Sequence, residues 1–256
     1  MCAHCGCNGP GEAMHDHGRL GHNHDHGATG IKERRHRDLS VDLLEKNAQY
    51  AKGNRTFFKD KRILALNIIS SPGSGKTSLL VSTLNRLKSK IEQLVIEGDQ
   101  QTELDAQRIR ATGTYAYQIQ TGKGCHLDAH LISHALEEIP LREEQLLWIE
   151  NVGNLICPSL FDLGETKRVL LLSVAEGEDK PAKYPEAFYG ADLLILTKID
   201  LLPYVDFSME RCEDYLRKIR PGIEILALSS KTGEGMENWF CWIEREFEKF
   251  THKPLL

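Results

Sequence analysis

The stretch RILALNIISSPGSGKTSLLVSTLNRLKSK, residues 62–90, decides the fold. Its first third is a nearly unbroken apolar run ending at Ser70, the composition of a strand buried on both faces in a parallel sheet. Its second half, KTSLLVSTLNRLKSK, has helical spacing. Between them SSPGSGKT turns the strand into the helix. There Gly73 and Gly75 let backbone N–H groups face a phosphate, and the helix N-terminus adds partial positive charge. Lys76 is expected to reach the β and γ phosphates and Thr77 to hold Mg2+, with Ser74 and Ser78 completing the loop. Ser70 stands where the GxxxxGK pattern has its first glycine, a position that needs only a tight turn. The bland alternative is a glycine-rich turn with no ligand.

Outward from this unit, strand and helix alternate. EQLVIEGD (92–99) is the next strand, followed by candidates at 115–120, 145–153, 168–177, 191–200 and 222–230. Helical spacing falls at 102–111, 126–139, 207–219 and 235–250. This order implies an α/β, mostly parallel, doubly wound sheet of the P-loop NTPase kind, with ligands beyond the carboxyl ends of its strands. Upstream, Leu39, Leu43, Leu44, Ala48 and Ala51 predict an amphipathic helix from Asp38 to Phe58, weakened near its end by Gly53. IKERRHRD (31–38) reads as a charged connector.

Residues 1–30 differ from the rest: three of seven Cys, six of eleven His and seven of 21 Gly, but no Val, Ile, Phe, Tyr or Trp. Such a segment buries too little apolar surface to offset its chain entropy, so 1–37 is expected as a flexible tail and linker and 38–256 as the folded domain. The 256 residues carry a net charge of -5, which gives no general attraction to nucleic acid or anionic membrane. Neither a bilayer-spanning apolar run nor a secretory h-region is visible. An odd number of cysteines beside a phosphate loop points to thiols in a reducing cytoplasm.

LLILTKID (193–200) resembles the NKxD guanine reader of GTPases, with Thr197 in place of Asn. An aspartate after a strand accepts both guanine N1–H and N2–H, a pair adenine lacks, so Asp200 is expected to select GTP while Lys198 packs along the base. LSSKTGEG (228–235), with Ser229, Ser230 and Lys231, resembles the last guanine loop. Two acids compete for the Mg2+ and water roles: Asp99, after the second strand on a switch-like loop, and Glu150, ending a strongly apolar strand. For either, an N-cap or a surface charge is the alternative.

Three groups suggest transition-metal binding. Cys2, Cys5 and Cys7 bring three thiolates together, and loss of Met1 would free an α-amine as a fourth ligand; the set suits Zn2+, Cu+ or square-planar Ni2+, or else is simply redox-labile. His15, His17, His22, His24 and His26 form a tract read as accessory metal binding or a polar linker. Cys125, His126 and Cys157 fall in loops predicted at the phosphate-loop edge, though buried structural cysteine is the commoner fate. Cys212 and Cys241 are expected to pack, and His130 and His134 continue one helix face after His126.

Together CAHCGC, the His tract, SSPGSGKTSLL, EGDQQT, GKGCHLDA, IENVGNLICPSLFDLGE and LTKIDLLP resemble the HypB family, the nickel-incorporation GTPases of NiFe-hydrogenase maturation. The resemblance spans nearly the whole chain. It implies the dimer-forming P-loop class that also holds the urease nickel GTPase and the nitrogenase iron protein. It implies GTP hydrolysis with Mg2+, a GTP-promoted homodimer, and a tight nickel site at Cys2, Cys5 and Cys7. It also implies a weaker nickel or zinc site at Cys125, His126 and Cys157 near the dimer interface. The implied partners are other maturation proteins and the hydrogenase large-subunit precursor. The competing readings are a nickel or zinc store and a metallochaperone for urease or a zinc enzyme.

Overall fold

A computed structural model describes the backbone of residues 27–255 and the side chains of 41–255. The chain falls into two units, Met1–Val41 and Asp42–Leu256; of the first, the described backbone is helical. The second holds seven strands: β1 (Leu64–Ser70), β2 (Gln93–Asp99), β3 (Tyr115–Gln120), β4 (Leu146–Glu150), β5 (Lys167–Ser173), β6 (Leu193–Thr197) and β7 (Glu224–Leu228). All pairings are parallel, in the order β3-β2-β4-β1-β5-β6-β7. β1 is therefore central, and every residue of it is buried, as its apolar run requires.

The helices are α1 (Gly27–Asp60), α2 (Lys76–Leu87), α3 (Leu104–Arg110), α4 (Ala129–Glu138), the short α5 (Lys180–Lys183) and α6 (Pro185–Tyr189), α7 (Met209–Ile219) and α8 (Met236–Thr251). Three apolar clusters fill the space between sheet and helices. One joins α2 and α8 to the sheet around Trp148 and Trp239, a second lies under α4, and a third lies under α6 and α7.

α1 departs from the sequence reading. The charged 31–38 stretch, expected as a connector, is helical, in keeping with its Lys, Arg and Glu content. Leu43 and Leu44 are exposed, whereas Asn47, Ala51, Asn54 and Phe58 are buried. The docked face is thus chosen by hydrogen bonding as well as by apolarity. Asn54 Nδ2 donates to the carbonyls of Ala129 and Leu163 at 2.9 and 3.0 Å. Asn47 accepts from Ala129 N and donates to Asp162 O, both at 2.8 Å. Gly164 (φ 85°) makes the close approach possible, since a Cβ there would meet Ala51 O at 2.5 Å. Cys241, expected to pack, is exposed on α8.

Candidate functional site

The phosphate loop folds as its glycines dictate. Gly73 and Gly75 have φ of 76° and 96°, left-handed values open to glycine at little cost. Lys76 is buried, with Nζ 3.1 Å from Ser70 Oγ, so the serine that breaks the glycine pattern anchors the lysine. Burial lowers the Lys76 pKa from its ordinary value, with Glu150 opposing. Thr77 Oγ1 donates to Glu150 Oε1 at 2.7 Å. The Ser74 hydroxyl lies 2.6 Å from Glu176 Oε1, and Ser78 Oγ accepts from Arg108 Nη2 at 3.1 Å. The loop, the ends of β2 and β4, and Lys198 line one cavity of about 420 Å3.

Glu150 shares that cavity with Glu97, its register partner on β2. Both carboxylates are buried, and each leaves Oε2 without a partner among the described residues. Burial pushes Glu150 up to about 7, against Lys76 and the Thr77 hydroxyl. Burial, then the charges of Glu150, Asp99 and Asp105, push Glu97 up to about 8. Two unpaired carboxylate oxygens beside a threonine hydroxyl are hard oxygen donors of the kind Mg2+ prefers, so the residues fit that ion.

Asp99 is occupied differently. Its Oδ1 accepts from Gln100 N at 2.6 Å, and its Oδ2 from Thr102 N and Oγ1 at 3.1 and 2.5 Å. It lines the cavity but closes its own turn. Sequence reasoning missed Glu97, although one carboxylate inside the apolar QLVIEGD was a visible signal. It also missed Arg108, which needed α3 to be placed against α2.

β6 is strapped to the loop. Thr197 Oγ1 donates to Ser74 O at 2.8 Å, and Lys198 Nζ donates to Gly73 O at 2.6 Å from a left-handed backbone (φ 58°). Asp200 follows on a 3-10 turn, Ile199–Tyr204, outside the lining of the cavity. Ser229 is buried at the end of β7, its hydroxyl accepting from Lys231 N and Thr232 N at 3.3 and 3.2 Å. Ser230 is half-buried and Lys231 exposed.

Cys125, His126 and Cys157 come together, with one ligand atom of each within 4.8 Å of the others. Cys125 Sγ is 3.6 Å from His126 Nδ1, and the His126 ring stacks on Phe161 at 3.9 Å. Burial lowers the His126 pKa, Asp128 opposing, which favours the neutral imidazole a metal requires. Cys157 opens a 3-10 turn, Cys157–Leu160, its N–H held by Asn154 Oδ1 at 3.3 Å.

Two tethers join this cluster to the nucleotide cavity. Asn151, next to Glu150, accepts from Leu127 N at 3.1 Å, and Thr121 N donates to Asp99 O at 2.9 Å. Gly153 of the same β4 loop packs on the phosphate loop, where a Cβ would lie 3.6 Å from Lys76 Nζ. Cys2, Cys5, Cys7, His15, His17, His22, His24 and His26 lie outside the described residues.

A lysine-bearing loop at the end of a central parallel strand, strapped by β6 and faced by buried acids, defines a P-loop nucleotide-binding protein. Residues 64–227 match the family described as CobW/HypB/UreG, nucleotide-binding domain. The chain is 51% identical over 236 residues to the hydrogenase maturation factor HypB of Escherichia coli K12, covering 92% of this chain and 80% of that one. It is 54% identical over 219 residues to the protein of that name from Azotobacter vinelandii, covering 86% and 72%. Its structure is similar to that of HypB from Helicobacter pylori in complex with nickel, with a TM-score of 0.76, 37% identity, and coverage of 80% of this chain and 97% of that one. The chain belongs to the HypB family of hydrogenase maturation factors, a P-loop GTPase family.

Proposed function

We propose that this protein hydrolyses GTP and uses the nucleotide state to control a nickel ion passed to a NiFe-hydrogenase large-subunit precursor. The observation that carries the reading is the direct tether between the two sites: Glu150 of the nucleotide cavity adjoins Asn151, which holds the backbone leading from His126. The same β4 loop continues to Cys157.

In this reading the phosphate loop binds the β and γ phosphates through its backbone and Lys76. Thr77 and Glu150 hold Mg2+, which neutralises charge on the phosphoryl oxygens. Glu97 orients the attacking water beside Glu150, a part for which both oxygens of Asp99 are already engaged. Asp200 and the Ser229–Lys231 loop select guanine, and Thr197 keeps β6 in register with the phosphate loop. A shift of the β4 loop between GTP and GDP states changes the spacing of Cys157 from Cys125 and His126, and with it the grip on nickel or zinc. GTP favours a homodimer, and the tail thiolates and imidazoles collect the metal.

The test is nickel affinity, by calorimetry, of the full chain with Cys2, Cys5 and Cys7 changed to Ser, bound to GDP or to a non-hydrolysable GTP analogue, with mass measured by light scattering. A difference of at least fivefold is expected, with dimer only in the analogue state. Equal affinities would remove the coupling, because a ligand without differential affinity shifts nothing, and would favour metal storage.

A further inference from the structure

On the exposed side of α4, His130 and His134 are one turn apart and their Nε2 atoms are joined by a hydrogen bond of 2.9 Å. Residues four apart share a helix face, but two long exposed rings need not converge. Here the rings meet edge to face at 4.5 Å. Tyr50 of α1 packs against His130 at 4.7 Å, limiting the freedom of that ring. Glu137 Oε2 stands 3.8 Å from Nδ1 of His134. A carboxylate there favours the proton on Nδ1 of His134, so that its Nε2 accepts the hydrogen bond from His130 Nε2 and keeps the lone pair a ligand would take.

We propose that His130 and His134 form a bidentate surface site for a divalent transition ion of the Ni2+ type, separate from the Cys125–His126–Cys157 cluster. Imidazole suits such ions, and the i, i+4 pair is a known way for a helix to present two rings to one metal. The 2.9 Å between the two Nε2 atoms is the length of a hydrogen bond between the rings, and an ion held by both nitrogens takes the place of the shared proton, which moves to Nδ1 or to solvent. Glu137 orients one ring, and water fills the remaining positions.

The pair shares no ligand with the inner cluster, so it stands whether or not that cluster holds metal. His130 is four positions after His126, at most about 14 Å of chain. An ion collected here is therefore close to the inner cluster.

The test reads each ring separately in the full-length protein. His130 and His134 are modified with diethyl pyrocarbonate with and without NiSO4, and the rate at each is followed by peptide mass spectrometry. Nickel is expected to slow both rates at least fivefold. In His130→Ala, a change of an exposed side chain, the protection of His134 should fall below twofold, because one imidazole alone binds weakly. In Cys157→Ala the protection of both rings should remain. Rates that nickel leaves unchanged overturn the proposal, as does protection of His134 that persists without His130. Loss of protection in Cys157→Ala also overturns it, since the pair would then be reporting the inner cluster.

Discussion

Glu97 and Glu150 face one another across neighbouring parallel strands, each with an oxygen that no described residue satisfies. Leaving buried charge unpaired is costly, and the fold responds by holding both carboxyls partly protonated. Folded values of about 8 and about 7 stand above the ordinary 4.5. Between those limits the nucleotide-free folded chain binds more protons than the unfolded one. Its stability therefore falls as pH rises from about 4.5 to 8, with a slope of up to ~1.4 kcal/mol per pH unit for each group. Glu97→Gln should flatten that slope in urea midpoints measured across the range; a slope identical to wild type would mean Glu97 does not contribute to it. Glu150→Gln keeps the shape and loses the charge. GTP turnover should drop by on the order of 100-fold, with GDP affinity in Mg2+-free buffer changed by less than threefold. Turnover within a factor of two of wild type would remove Glu150 from the Mg2+ role.

At the scale of elements, the strands and the existence of a helix over 38–58 were legible in the sequence, while the start of α1 and the face by which it docks were not. A buried parallel strand announces itself because both faces need apolar side chains, so LALNIIS and LLILT could be placed without the fold. α1 is held instead by Asn47 and Asn54, whose partners are carbonyl and amide groups near Ala129 and Leu163. No local pattern records such a bond, since both partners lie more than 70 residues away. Leu43 and Leu44 matched the helical spacing and yet stay exposed. Asn54→Ala removes the buried amide that donates to the Ala129 and Leu163 carbonyls and should cost about 1–3 kcal/mol. Urea unfolding checks this, and a loss below 0.5 kcal/mol, taken as an order-of-magnitude floor, would mean that water replaces the amide.

For the whole molecule, the decisive fact is that loops from different strands meet at one edge of the sheet. Cys125 follows β3 and Cys157 follows β4, 32 positions further along the chain, yet their sulfurs and the His126 ring converge. A metal bound there crosslinks two loops and links to folding. At nickel one hundred times the dissociation constant the gain is about 2.7 kcal/mol, or roughly 5–10 °C in Tm for a domain of this size. Scanning calorimetry of the full chain should show that rise, and Cys157→Ala should reduce it to what the His130–His134 pair alone supplies. An equal rise in the variant would place the stabilising ion elsewhere.

By itself the sequence determined the class of sheet, the phosphate loop and the candidate metal ligands, because apolar period, glycine placement and donor chemistry are local properties. Tertiary structure alone decided that Ser70 anchors Lys76, that Glu97 stands beside Glu150 while Asp99 closes a turn, and that Asn151 ties the nucleotide cavity to the thiol–imidazole cluster. Each depends on strand order and register, which bring distant residues into contact by packing rather than by spacing along the chain.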